Sequence, residues 1–180
     1  SILCKKRIFM KFSKIVLSLG LLASSLFASE FINYDDLSKS LKDDAKKNGL
    51  YATTDEVKMA LKEKDWAVVD VRTAEEWAGA FIKGSQRVGR ETSEVAIENF
   101  VTDDDGKLIK DKIIVVCNSA ARASIEAQTF RQMGFKTVKI YDLYSWIDEC
   151  NPVVTKYTVK NDRSGTGLNF GEYYAEHCKK

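Results

Sequence analysis

Cys117 is the residue in this chain best placed for covalent chemistry. It closes the apolar run Ile113-Ile114-Val115-Val116, is followed by Asn118-Ser119-Ala120-Ala121, and reaches Arg122 just ahead of a strongly helical stretch at 123–133. A strand that delivers a thiol into a tight turn before a helix lets backbone N–H groups converge on the sulfur. Those unpaired N–H groups and the helix dipole favour an anion there. A thiolate so held can take a sulfur atom from a donor and keep it as a persulfide in the same cradle. Ala120 and Ala121 are small enough for the backbone to approach the outer sulfur, and Arg122 adds a fixed positive charge at the rim. A cysteine ending a buried strand is also a common small core residue. The polar turn, the arginine and the helix that follow weigh against that reading here.

The elements that must position this loop are readable from pattern. Residues 35–48 and 55–64 are amphipathic and rich in helix formers, and Thr53 with Glu56 has capping-box spacing. Ala67-Val68-Val69-Asp70-Val71 reads as a buried strand, and Thr73 with Glu76 repeats the capping-box spacing directly after it. Residues 136–141 read as a further strand and 145–149 as a short helix. Strands alternating with helices predict an α/β fold with a mainly parallel sheet and helices on both faces, whose ligands sit at the carboxyl ends of the strands. Cys117 stands at such an end. Trp77, Phe135 and Trp146 read as core, Asp103-Asp104-Asp105-Gly106 as a turn, and Asp70 as a residue that holds the loop by hydrogen bonds. Arg72 has two open readings, pairing with Glu75 or Glu76, or binding a substrate. Arg87 and Arg90 lie in a polar segment where solvated arginines are usual.

Val69-Asp70-Val71-Arg72-Thr73-Ala74-Glu75-Glu76-Trp77 resembles the first signature of the rhodanese family, and the Cys117-to-Arg122 stretch resembles its active-site loop. The resemblance covers about 55–149, with Gly134-Phe135 and Trp146 where that family has its next strand and helix. The Cys-x-x-Ala-Ala-Arg loop is similar to the polysulfide-sulfurtransferase type within the family. The resemblance implies a single rhodanese-like domain and a sulfurtransferase with Cys117 and Arg122 as its catalytic residues. It implies substrate contacts from Asn118, Ser119, Ala120, Ala121, Arg72 and Arg90, with the three arginines facing an anionic polysulfide. It also implies a homodimer, and a donor (polysulfide or thiosulfate) and an acceptor (a thiol, cyanide or a partner enzyme). The family's usual loop glycine is Ala120 here, and its usual Ser/Thr after the arginine is Ala123.

Three other functions compete. Phosphatases of related fold carry Cys-(x)5-Arg, and here only four residues separate Cys117 from Arg122, so the cradle is too small for a tetrahedral oxyanion. A non-catalytic binding module would be favoured by loss of the cysteine or the arginine. A thiol-redox protein would pair Cys117 with Cys150 or Cys178.

Charge and cysteine usage add a compartment. Lys5, Lys6, Arg7, Lys11 and Lys14 precede the apolar run 15–23, and small residues follow at Ser24, Ser25, Ala28 and Ser29. That order is a secretory signal peptide over 10–28, within a leader spanning 1–28. The expected organisation is then a rhodanese-like domain at 29–150 and a C-terminal tail at 151–180 in an exported, periplasmic protein. The whole chain carries 28 Lys/Arg and 26 Asp/Glu. Without the leader it keeps 23 basic residues against 26 acidic, a net charge of −3, so no basic nucleic-acid footprint is expected. With one histidine and no CxxC, neither a structural zinc site nor another cofactor is expected. The three cysteines beyond the leader are odd in number, which suggests one bridge and one free thiol. Since Cys117 must stay free to work, a Cys150–Cys178 bridge tying the tail back is the pairing considered. The alternative is a buried Cys150 with a loose Cys178.

Overall fold

Three apolar strands lie side by side at the centre of the computed structural model, which describes residues 31–156 and 171–179. In chain order the elements run α1 (Tyr34–Lys47), α2 (Thr54–Ala60), β1 (Trp66–Asp70), α3 (Ala74–Gly79), β2 (Gln86–Arg87), α4 (Ser93–Ala96) and α5 (Glu98–Val101). They continue with β3 (Lys112–Cys117), α6 (Ala121–Gln132), β4 (Thr137–Asp142), α7 (Leu143–Asp148), β5 (Val153–Thr155), β6 (Gly171–Tyr173) and a 3-10 turn (Glu176–Cys178). The signal-peptide and leader expectation falls outside the described residues.

The main sheet is four-stranded and entirely parallel, in the order β2-β1-β3-β4. Side chains alternate across it, yet both faces are covered, which is why the strands read as unbroken apolar runs rather than as a polar–apolar alternation. Val69, Ile113, Val115 and Cys117 face a core completed by Ala45 of α1 and Ala123, Ala127 and Phe130 of α6. Val68, Ile114, Val116 and Tyr141 face the other way, onto Val57 and Ala60 of α2 and Leu143 and Trp146 of α7. The α/β fold with helices on both faces is as the strand–helix alternation predicts.

Caps fix where the helices begin. The Asn33 Oδ1 accepts the Asp36 N–H at 2.9 Å to start α1. Both capping boxes form: Thr53 with Glu56 opens α2, and Thr73 with Glu76 opens α3. The second matters most, because it places the Glu76 carboxylate at the end of α3 nearest the C-terminal edge of β1.

The tail docks on the domain. From Ile32 on, the described residues form one compact unit. In its described part, β5 pairs antiparallel with β6, Val154 exchanges backbone hydrogen bonds with Phe81 at 2.8 and 2.9 Å, and the Lys156 N–H donates to the Ala78 carbonyl at 2.8 Å. Lys156 also lies over the Trp77 ring, 4.4 Å from its centroid. Cys150 and Cys178 are joined in a disulfide with Cα atoms 5.4 Å apart, and Cys117 is the free cysteine of the described residues. Closing a loop of this length stabilises a fold by about 3–4 kcal/mol in the chain-entropy model. The denatured protein lacking its leader should therefore titrate one thiol before reduction and three after it. Three thiols without a reductant would mean that the bridge does not form in solution.

Candidate active site

Cys117 ends β3, and the chain then turns sharply into α6. The turn is made by Ala120, which adopts left-handed dihedrals (φ 60°, ψ 1°) immediately before the helix. A non-glycine residue pays of order 1–3 kcal/mol for such a conformation, and strain of this kind gathers at functional loops. It turns the start of α6 onto the sulfur, so that the Ala123 N–H donates to Cys117 Sγ at 3.4 Å. One such donor is within reach of the sulfur, where the loop pattern suggested a convergence of several. Cys117 is 1% exposed, Ala120 is fully buried and Ala121 nearly so. Ser119 stands exposed at the rim.

A hydrogen-bonded frame surrounds this loop. Asp70 and Arg72, both almost wholly buried, form an ion pair at 2.7 Å. The Arg72 Nε–H also donates to Asp70 Oδ1 and Oδ2, each at 3.0 Å. Its other N–H groups donate to Ala80 O at 2.5 Å, to Glu76 O at 3.3 Å and to Asn118 Oδ1 at 3.0 Å. That engages the whole fork of the guanidinium with protein acceptors. Of the two open readings for Arg72, the structure shows a carboxylate pairing, with Asp70 in place of Glu75 or Glu76, and the side chain is buried in the frame.

Asn118 belongs to the same frame. Its Oδ1 accepts from Arg72, and its Nδ2 donates to Glu76 Oε1 at 2.9 Å. Both ends of the side chain orient the loop, each through one bond.

Glu76 is the residue that sequence reasoning missed as a member of the site. Its Oε2 accepts from Arg122 Nη1 at 2.6 Å and from the Thr73 N–H at 3.1 Å. Its Oε1 accepts from Arg122 Nη2 at 2.7 Å and from Asn118. The bidentate Arg122 pair, before any other cause, holds the Glu76 carboxyl down at about 2 and raises the Arg122 guanidinium above its ordinary value. Arg122 therefore sits beside the Cys117 loop already tied to a carboxylate. The capping-box spacing fixed where Glu76 lies, while its partner 46 residues away left no local trace.

This pairing gives a pH-dependent prediction. A carboxylate whose value is depressed from 4.5 to about 2 on folding contributes stability that is fully present above about pH 4.5 and fades as pH falls towards 2. The Glu76 side chain is 32% exposed, and screening reduces the contribution to about 1–2 kcal/mol. Glu76→Gln should lose that amount in urea unfolding at pH 7 and differ little from wild type near pH 2. A gap that persists unchanged at low pH would show that the charge is not what stabilises the site.

Arg90 differs from the other two arginines. Among the described residues its guanidinium has no hydrogen bond or ion pair; only its backbone N–H is engaged, with Glu91 Oε2 at 3.1 Å. It follows Gly89, whose φ of 70° lies in the left-handed region that glycine adopts at least cost. Arg90 and Arg122 share the wall of a pocket of about 190 Å³, with Tyr34, Ile125 and Glu126. Of the three arginines expected to meet an anionic substrate, Arg90 alone has its whole fork free to do so.

Comparison with known proteins agrees with this architecture. Residues 53–143 match the rhodanese-like domain, just over half of the chain, so the protein belongs to the rhodanese-like domain family. The polysulfide-sulfur transferase homodimer of Wolinella succinogenes has a similar fold, at 21% identity over 74% of this chain and 95% of that one, with a TM-score of 0.50. A Rhodopseudomonas palustris protein of unknown function, described as a possible tyrosine phosphatase, aligns at 19% identity over 67% of this chain and 93% of that one (TM-score 0.47). A rhodanese-related protein of Thermoplasma volcanium aligns at 23% identity over 68% and 95% (TM-score 0.39). No curated protein matches the chain.

Proposed function

We propose that this protein is an exported sulfurtransferase that carries sulfane sulfur as a persulfide on Cys117. The observation that carries the reading is the free Cys117 at the carboxyl end of β3, with the first turn of α6 donating the Ala123 N–H to its sulfur. The Cys117 thiolate attacks the terminal sulfur of a polysulfide dianion, one S–S bond forms as another breaks, and a polysulfide shorter by one atom leaves. With thiosulfate the leaving group is sulfite. The new outer sulfur then passes to an acceptor thiol or to cyanide, or to a partner enzyme, and the Cys117 thiolate returns. Arg122, held by Glu76, keeps a positive charge beside the loop through both half-reactions.

The unengaged Arg90 favours a long anionic donor, so polysulfide is the preferred substrate over thiosulfate in this reading. The same reading makes the protein a homodimer, on likeness of fold to the Wolinella succinogenes transferase, with light scattering as the check. Export rests on the leader pattern and on the Cys150–Cys178 bridge, since disulfides persist in oxidising compartments. A thiol-redox role would need Cys117 to exchange with Cys150 or Cys178, and those two are paired with each other.

The deciding measurement is the intact mass of the purified protein after exposure to polysulfide or to thiosulfate. A gain of about 32 Da per sulfur atom, reached at a lower concentration of polysulfide, is expected from covalent loading. No gain with either donor would end the proposal, and equal loading by both would leave a generic sulfurtransferase.

A further inference from the structure

The pocket beside the Cys117 loop carries opposite charges on its walls, and the two do not neutralise each other. Arg90 contributes a guanidinium with no partner among the described residues. Glu126 contributes a carboxylate whose Oε2 accepts the Ser93 hydroxyl at 2.5 Å and which forms no ion pair among those residues. Ile125 and Tyr34 line the same pocket, and Tyr34 comes from α1, outside the family-matched segment. Burial raises the Tyr34 phenol above its ordinary value, with the Cys117 sulfur the next cause, so the phenol stays protonated within the electrostatic reach of that sulfur. Arg122 is common to the pocket and to the frame around the loop. The space, about 190 Å³, suits a small molecule rather than a protein segment.

The donor dianion of the first half-reaction gives Arg90 a role and gives Glu126 none. A ligand with both an anionic and a cationic group explains both walls. We infer that this pocket seats the sulfur acceptor, and that the acceptor is a small zwitterionic thiol of the α-amino-acid class, its carboxylate on Arg90 and its ammonium on Glu126. This rests on the sulfurtransferase reading above. The acceptor thiolate attacks the outer sulfur of the Cys117 persulfide. A new S–S bond forms to the acceptor, the bond to Cys117 Sγ breaks with its electron pair, and the products are an amino-acid persulfide and the Cys117 thiolate. Tyr34 and Ile125 offer apolar contact to the acceptor's carbon chain.

The test compares discharge of the sulfur-loaded protein by L-cysteine, by 3-mercaptopropionate (no ammonium) and by cysteamine (no carboxylate), at matched thiolate concentrations and followed by mass. Cysteine should discharge it about tenfold faster than either, the equivalent of one charge-assisted hydrogen bond. Glu126→Gln should erase the advantage over 3-mercaptopropionate, and Arg90→Ala the advantage over cysteamine. Equal rates for all three thiols, or variants that slow all three alike, would overturn the assignment while sulfur loading still stands.

A second arm does not depend on loading. S-methylcysteine, which cannot react, should bind the Cys117→Ser protein in calorimetry and bind about tenfold more weakly once Arg90→Ala or Glu126→Gln is added. Binding of this kind in a protein that takes no sulfur would keep the pocket and end the sulfur chemistry. Where both arms can be run, the discharge rates decide.

Discussion

Cys117→Ser should take up no sulfur from polysulfide or thiosulfate and should remain folded. Serine nearly matches cysteine in shape, and its hydroxyl can accept the Ala123 N–H that now donates to Cys117 Sγ. Burying a hydroxyl that keeps a partner costs about 1 kcal/mol, small against the stability of a domain of this size. The chemistry does not survive the exchange. A persulfide needs a nucleophile that is anionic at neutral pH and forms a stable S–S bond, and an alcohol is neither. Because Cys150 and Cys178 are joined to each other, neither is free to take the sulfur in its place. The expected result is a mass that does not change on exposure to donor, beside a wild type that gains about 32 Da per atom, with both melting within a few degrees of each other. Loading that survives the substitution would move the active thiol elsewhere.

The fold was legible wherever a signal was local. The valine and isoleucine runs of β1 and β3 announced strands covered on both faces, and each capping box needed only two residues three apart. Counting cysteines, and asking which one had to stay free, raised the Cys150–Cys178 bridge as one of two readings, and the structure has that bridge. What stayed hidden depended on register. Asp70 pairs with Val116 across β1 and β3, and this alignment brings the start of α3 against the Cys117 loop. Only then does Glu76 meet Arg122 and Asn118, and only then does Arg72 find Asn118. The spacing of Arg72 from Glu75 and Glu76 suggested a carboxylate partner, yet the partner is Asp70, two residues back. The edge strand β2 (Gln86–Arg87) was missed for a related reason. Two polar residues at a sheet edge carry no apolar period, and the element exists because β1 supplies its hydrogen bonds. Tyr34 came from a helix with nothing in its own pattern to link it to a cysteine more than eighty residues away.

Arg72→Ala is expected to destabilise the domain by about 3–5 kcal/mol, the usual cost of removing one partner of a buried ion pair. The substitution leaves Asp70, 1% exposed, as a carboxylate without its cation, and removes the donors to Ala80 O, Glu76 O and Asn118 Oδ1. For a chain of this length the loss corresponds to a fall in Tm on the order of 10 °C. Arg72→Lys should restore only part of it, because an ammonium on a flexible stem cannot serve four acceptors that a planar fork reaches together. The double variant Asp70→Asn with Arg72→Met should recover more stability than either single change, since it leaves no unpaired charge in the interior. If Arg72 instead faced the donor, as its place in the family signature suggested, the pattern would reverse: sulfur uptake would fall while the melting curve stayed put, and lysine would rescue as a point charge. Thermal unfolding of the wild type and these variants, set beside the concentration of polysulfide needed for half-loading, separates the two roles. A stable Arg72→Ala protein that binds donor poorly would return Arg72 to the substrate site.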